Sequence, residues 1–277
     1  MSLRALATVG PKGSTCTDDA PRPWWSVTKT AIAATALRLA ERHVVALDAP
    51  MSEGWTLRDL LAHRAGLSDY GPLPAYKQAV AAGDPPWSPA EVLARVGPPT
   101  HRPREIWRYS NVGYMLARAR LEDATGRSLG SLLSQEVLAP LGLTQTRLSA
   151  GVEPDWSTYD FRWVYHGCLF GPPSEAAAMV HGILMGPILS PAMREALRAR
   201  VPLGDGIPGR PWQSIGYGLG LMMGQYDGHP IVGHSGAGPG GCCAVYTCLE
   251  RGTTAAAFTD DPTEDRAEWA VVRTLMA

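Results

Sequence analysis

Lysine is scarce in this sequence: of 25 Lys plus Arg, only Lys12, Lys29 and Lys77 are lysine. Basic blocks are lacking too, and with a formal net charge of −1 the chain has no electrostatic footprint for nucleic acid. No run approaches the length of about 20 apolar residues that a membrane span needs. The opening Met1-Ser2-Leu3-Arg4-Ala5-Leu6-Ala7 is too short an apolar run for a secretory signal. The five cysteines, Cys16, Cys168, Cys242, Cys243 and Cys248, are odd in number and have no zinc-type spacing. Adjacent Cys242 and Cys243 would point to opposite faces of a strand, so they make no ordinary ligand pair. All five read as free thiols of a reducing compartment. The expectation is therefore a cytoplasmic protein with no metal or other cofactor and with neither nucleic acid nor membrane as partner. What is present, 45% hydrophobic and 18% charged residues over 277, describes an ordinary globular protein long enough for one large domain or two lobes.

Against so few lysines, the placement of Lys29 stands out. Trp24-Trp25-Ser26-Val27-Thr28-Lys29 opens the apolar run Thr30-Ala31-Ile32-Ala33-Ala34-Thr35-Ala36-Leu37. Serine directly before an alanine-rich stretch predicts a helix start. A helix from Ser26 sets Ser26 and Lys29 one turn apart on one face. Free backbone N–H groups of the first turn favour a developing negative charge there. Lysine can lose its proton when buried and arginine cannot, so Lys29 can activate Ser26 as a base. The plainer reading is a helix cap beside a solvated cation. With sixteen serines and three lysines, a chance pair at this spacing is uncommon, which favours chemistry.

In chain order, residues 4 to 9 read as an edge strand, and the loop Pro11 to Pro23 leads into a helix from Ser26 to about His43. A short helix over Thr56 to His63 is capped by Thr56 and closed at Gly66, and further helices are predicted near 73–82, 88–96, 111–125, 128–138, 174–184 and 190–200. Residues 150–175 carry few periodic cues. From Gly216 the pattern changes to strands: Tyr217 to Met223, His229 to Val232, Cys242 to Tyr246 and Thr253 to Phe258, with Asp227-Gly228 as a hairpin turn. A last helix over about 262–276 would cover that sheet. The architecture is α+β: an antiparallel sheet flanked by helices, with a mainly helical insert. Residues 1–45 and 205–277 would form the sheet lobe and 46–204 the helical lobe.

Two other segments could complete a site for a serine nucleophile, which needs a proton route and oxyanion donors. In Tyr109-Ser110-Asn111, Tyr109 could relay a proton and Asn111 hold a substrate amide; the plain alternative is a capping Ser110 and a core Tyr109. In Gly233-His234-Ser235-Gly236-Ala237-Gly238 the glycines let backbone N–H groups approach a ligand; the plain alternative is a glycine-rich hairpin. Gly233 to Ala237 also comes close to a G-x-S-x-G nucleophile elbow. That elbow needs a following helix and a later histidine, and no histidine lies beyond 234.

Together, Ser26-Val27-Thr28-Lys29, Tyr109-Ser110-Asn111 and His234-Ser235-Gly236 resemble the three ordered motifs of the serine β-lactamase and penicillin-binding protein superfamily. The nearest branch is that of class C β-lactamases with their D-Ala-D-Ala carboxypeptidase and carboxylesterase relatives. Leu47-Asp48-Ala49-Pro50, the stretch from Thr56 to Tyr70, and Gly240 support it, and the resemblance runs from about residue 22 to 260. It implies that Ser26 is the acylated nucleophile, Lys29 its base partner and Tyr109 a partner in proton transfer. Asn111 would contact Lys29 and the acyl amide. His234 and Ser235 stand where many relatives carry the Lys-Thr-Gly that binds a substrate carboxylate, with Gly236 beside them. The Ser26 and Ala237 N–H groups would form the oxyanion hole.

Relatives usually carry more chain before the serine than the 25 residues here. The N-terminal shortening implies a smaller sheet or an exposed edge, and with it a homodimer. Trp24-Trp25 replace small residues and would narrow the pocket. The whole reads as one β-lactamase-like catalytic domain, a serine hydrolase forming an acyl-enzyme on Ser26 and acting on small esters or amides. The alternatives are a D-Ala-D-Ala carboxypeptidase or a β-lactamase with a β-lactam substrate, and, from another class, a binding or sensor protein that is acylated without turnover. Histidine's ordinary pKa of about 6.5 makes His234 mostly neutral near pH 7.5. Neutral esters are then expected to outperform carboxylate-bearing substrates, whose KM would rise with pH through the histidine titration.

Overall fold

The C-terminal strands Gly241–Cys248 and Thr253–Thr259 carry almost unbroken buried runs where a half-exposed sheet would alternate. Such runs require cover on both faces, and the computed structural model supplies it. It describes residues 2–154 and 156–277.

In chain order the elements are β1 (Leu3–Gly10), β2 (Gly13–Cys16), β3 (Arg22–Pro23), a 3-10 turn at Trp25–Val27, α1 (Thr28–Glu41), α2 (Leu57–Leu61), α3 (Pro74–Ala82), α4 (Pro89–Val96), α5 (Asn111–Thr125) and α6 (Leu129–Leu133), which continues as a π turn over Ser134–Leu138. There follow β4 (Arg147–Leu148), β5 (Val152–Glu153), β6 (Ser157–Asp160), β7 (Leu169–Gly171), α7 (Pro173–Leu184) and α8 (Pro191–Leu197). The chain closes with β8 (Val201–Asp205), β9 (Ser214–Tyr217), β10 (Met222–Tyr226), β11 (His229–Gly238), β12 (Gly241–Cys248), β13 (Thr253–Thr259) and α9 (Asp265–Met276). The architecture is α+β.

One unit comprises the residues up to Arg38, Gly130–Leu148 and Cys168–Ala277. Its centre is an eight-stranded sheet in the order β2-β1-β13-β12-β11-β10-β9-β8, and its paired neighbours run antiparallel. The 25 residues before Ser26 supply two of these strands, so the N-terminal segment leaves a large sheet. The register sets Ser235 opposite Ala244 and Ala244 opposite Ala257, which puts all three on one face. That face carries α9, whose Ala267, Val271, Val272 and Leu275 join Trp212, Tyr246 and Ala255 in one apolar cluster. Each fully buried valine or leucine there contributes about 1.5–3 kcal/mol. Helix α7 packs against β1, β12 and β13, and its His181 Nδ1 lies 3.1 Å from Thr254 Oγ1, on the other face of β13 from Ala255. Residues 130–148 and 168–204, expected in the helical lobe, belong to the sheet unit because α7 lies on its strands.

The second unit, Leu39–Leu129 with Ser149–Gly167, holds α2 to α5. Its helices start where side chains satisfy the first backbone donors. Thr56 and Asp59 form a reciprocal capping box, as do Ser88 and Glu91. Ser110 caps α5, which ends on left-handed Gly126. Helix α5 packs on α2, with the Tyr114 hydroxyl donating to the Leu61 carbonyl at 2.6 Å.

Three local expectations change. Strand β1 is interior, because the chain turns at Gly10-Pro11 and β2 becomes the edge. Tyr217 to Met223 is two strand ends joined by a turn, closed by the Gly218 N–H donating to the Leu221 carbonyl. Gly220 sits in that turn with φ +64°, where a Cβ would lie 2.5 Å from the Lys29 carbonyl oxygen. Ser26 lies in the 3-10 turn that precedes α1.

Candidate active site

In the sheet unit, Ser26 stands in the turn Trp24–Val27. Trp24 is wholly buried, and its indole donates to the Gly171 carbonyl at 3.0 Å while its backbone N–H donates to the Leu169 carbonyl at 2.8 Å. The Thr28 hydroxyl accepts from the Leu169 N–H, and Thr30 donates to the Gly220 carbonyl. The start of α1 is thus fixed on two sides. Trp25 adopts φ +43°, a left-handed conformation that costs a non-glycine residue about 1–2 kcal/mol. Strain of this kind persists where the surroundings over-determine it, often at functional sites.

Ser26 and Lys29 are brought together. Lys29 Nζ donates to Ser26 Oγ at 2.9 Å, and Lys29 is wholly buried. Strand β11 lies against this turn. A Cβ on Gly236 would lie 2.6 Å from the Ser26 amide nitrogen, and one on Gly238 would meet the Trp25 ring at 2.4 Å. Only glycine permits that approach. Ala237, between them, is exposed.

Strand alternation puts His234 on the same face as Gly236. It is wholly buried, and burial together with the Lys29 charge pushes its pKa down to about 3. Its Nδ1 lies 2.5 Å from the Ser235 carbonyl and its Nε2 lies 3.0 Å from the Tyr217 hydroxyl. A carbonyl can only accept, so Nδ1 carries the proton and Nε2 accepts from Tyr217. Burial thus favours the neutral imidazole at His234. Desolvation and the Lys29 charge both disfavour the imidazolium, which moves the titration below the neutral range expected from the sequence.

Ser235 faces the other side of the strand. It is wholly buried, and its hydroxyl donates to Glu268 Oε1 at 2.5 Å and lies 2.8 Å from the Tyr246 hydroxyl. Burial pushes the Glu268 carboxyl up to about 7, against Arg210, Ser235 and Trp212, which favour the carboxylate.

In the second unit, Tyr109, Ser110 and Asn111 form the start of α5. Asp69 accepts from the Asn111 backbone N–H at 2.8 Å and from its side-chain Nδ2 at 3.0 Å, so the amide is oriented with its nitrogen toward Asp69. Ser110 donates to the Ser68 carbonyl, and its backbone N–H donates to His63 Nδ1 at 3.1 Å. The His63 ring stacks on Tyr109 with centroids 4.2 Å apart. His63 itself has φ +57°.

Tyr217, Glu268, Asp69 and His63 are partners that motif reading left without roles. Asp69 and His63 lie in the Thr56–Tyr70 stretch that carries the resemblance, which was a usable signal; nothing local marks Tyr217 or Glu268. Among the described residues no group of three or more His, Cys, Asp or Glu is placed to hold a metal ion.

The chain is 23% identical to penicillin-binding protein 4* of Bacillus subtilis over 80% of its length, and 28% identical to a D-aminopeptidase of Brucella anthropi over 73%. It spans 54% and 41% of those proteins, about half their length. Its fold is similar to that of a D-stereospecific amidohydrolase from a Streptomyces species, with a TM-score of 0.80 at 21% identity over 98% of this chain and 92% of that one. The family model described as Beta-lactamase matches residues 6–275, and the chain belongs to that family.

Proposed function

We propose that this chain is a serine hydrolase that forms an acyl-enzyme on Ser26 and acts on small, neutral esters or amides. The observation that carries the reading is the 2.9 Å contact of Lys29 with Ser26. A wholly buried lysine, unlike an arginine, can lose its proton and serve as a neutral acceptor. Ser26 attacks the carbonyl as Lys29 takes its proton, the Ser26 and Ala237 N–H groups hold the oxyanion, and water later releases the acid. Tyr109 shares the proton transfer to the leaving group and Asn111 holds the acyl amide, roles that rest on the resemblance and on the rigid seating of this pair by His63 and Asp69.

Neutral His234 favours substrates without a carboxylate at this place, which sets esters and simple amides above β-lactams and D-Ala-D-Ala peptides. Since similar proteins are a D-aminopeptidase and a D-stereospecific amidohydrolase, amides of D-amino acids head the panel. Five cysteines, none in a disulfide, suit a reducing compartment. Among the described residues no helix is long and apolar enough to cross a membrane. We assign the protein to the cytoplasm, as a homodimer formed through a sheet edge, β2 or β8.

The test is covalent labelling by a fluorophosphonate probe, followed by turnover of p-nitrophenyl esters, D- and L-amino acid amides and nitrocefin. Labelling and turnover should vanish in Ser26→Ala. Turnover of the variant within tenfold of wild type would move the nucleophile elsewhere. A labelling burst without turnover would make the protein an acylated sensor.

A further inference from the structure

Behind strand β11 lies a buried polar socket. Glu268 projects from α9 with no exposed surface. Its Oε1 accepts from the Ser235 hydroxyl at 2.5 Å and from Arg210 at 3.0 Å, and its Oε2 accepts from the Trp212 indole at 3.0 Å. The Tyr246 hydroxyl lies 3.4 Å from Oε1. Arg210 also pairs with Glu264, one helical turn back. Arg210 and Trp212, two residues apart between β8 and β9, thus take different oxygens of one carboxylate.

We propose that Glu268 is a positioning residue: through the Ser235 hydroxyl it fixes the segment His234–Ala237 of β11 against the turn that carries Ser26. The inference rests on the hydrolase reading above. The resemblance would make Ser235 a substrate contact, but its side chain is engaged on this face: its one proton goes to Glu268, and the Tyr246 hydroxyl lies 2.8 Å from its oxygen. Ser235 stands between two residues that must be placed closely. His234 is seated beside Lys29 on one side, and Gly236 on the other clears the Ser26 amide only because it lacks a Cβ. Side chains along a strand alternate, so anchoring Ser235 toward α9 orients both neighbours toward the nucleophile. A misplacement of 1 Å at such a site costs about a hundredfold in rate.

The anchor favours the ionised carboxylate: Arg210 and the Trp212 indole can only donate to Glu268, and protonation would remove the charge that Arg210 pairs with and reverse the Ser235 bond. The charged or titratable groups facing it are Arg210 from the β8–β9 connection, Glu264 from its own helix and Tyr246 from β12. Rate should fall as pH drops through the Glu268 titration, which burial has moved to about 7.

The experiment measures fluorophosphonate labelling rate, and kcat and KM for a neutral p-nitrophenyl ester, from pH 5.5 to 9. The proteins are wild type, Glu268→Gln, Ser235→Ala, the double variant and Ser26→Ala. Each single variant should label and turn over at least about tenfold more slowly with KM within about twofold, because a merely misplaced site loses transition-state stabilisation. The double variant should be no slower than the slower single variant, since both break one connection. The acid limb near pH 7 should disappear in both singles. Should Glu268→Gln fail to fold, Ser235→Ala, which deletes one hydroxyl, carries the test through kcat, KM and the pH limb. Losses that multiply in the double variant, a Ser235→Ala defect confined to KM, or wild-type rates and pH profiles in the singles would each overturn the positioning role. Labelling that survives Ser26→Ala would instead defeat the hydrolase reading itself.

Discussion

Gly236 and the Ser26 backbone nitrogen are so close that a Cβ on the glycine would lie 2.6 Å from that nitrogen. A second Cβ contact, 2.7 Å to Cβ of Trp25, and a third, 3.1 Å to the Trp24 carbonyl oxygen, leave no direction in which it could move. Gly236→Ala should therefore push β11 from the nucleophile turn. We expect labelling and turnover to fall by about a hundredfold or more, with thermal stability lowered by overpacking worth about 1–3 kcal/mol. Parallel melting curves and labelling rates check it; a variant with wild-type labelling would mean that the turn and strand separate at little cost.

Lys29→Arg should be almost as damaging as Lys29→Ala. Arginine keeps its proton at any working pH, so it cannot accept one from Ser26. The larger guanidinium must also enter a site with no exposed surface. The rate constant for labelling is the measurement. Retention of most of the rate in the arginine variant would make Lys29 an electrostatic contact and remove its role as base.

Tyr109→Phe should slow acyl transfer by about 10²–10⁴-fold, the range for loss of one acid–base group. The stacked His63 ring would still meet a phenyl ring, so stability should change little. A fall of less than about fivefold would leave Tyr109 as a packing residue at the start of α5.

The pH behaviour of His234 can be separated from that of Glu268 by sign and position. His234 is lowered to about 3 by burial and by Lys29. A base with a lowered folded pKa costs stability as pH falls below its unfolded value of about 6.5, and the full penalty is reached near 3. Above pH 6.5 it contributes no pH dependence to stability or to KM. KM for a carboxylate-bearing ester should then stay parallel to that for a neutral ester between pH 7 and 9, measured side by side in the wild type. A KM that rose only for the carboxylate substrate in this window would put the imidazole back in contact with solvent and substrate.

Much of the site could be read from the chain because its chemistry is local. Ser26 and Lys29 are three residues apart, Tyr109 to Asn111 are contiguous, and the Thr56 capping box and the Asp227-Gly228 turn are written within four residues. What resisted reading depends on sequence-distant pairing. The direction of the Ser235 side chain follows from a register shared with Ala244 and Ala257, and its partner Glu268 is 33 residues away on a helix that shows only an amphipathic pattern. The pKa of His234 follows from its burial where β11 meets the Ser26 turn and from the Lys29 charge, which no local pattern records. The run from Tyr217 to Met223 looked like one strand because apolar residues continue across it; the turn inside it is dictated by the approach of Gly220 to the Lys29 carbonyl.

Strand β1 pairs along its length with β13, so Leu6 meets Ala257 across nearly the whole chain. At ribosomal rates of about 5–20 residues per second, β1 and the Ser26 turn wait about 10–50 seconds before that partner is synthesised. Through that interval the central sheet lacks β11, β12 and β13, and the apolar face of α1 has no strand to lie on. The nucleophile is therefore made well before the strands that set it in place. Slowly folding mutants should accordingly be lost to aggregation or proteolysis before they ever show a catalytic defect.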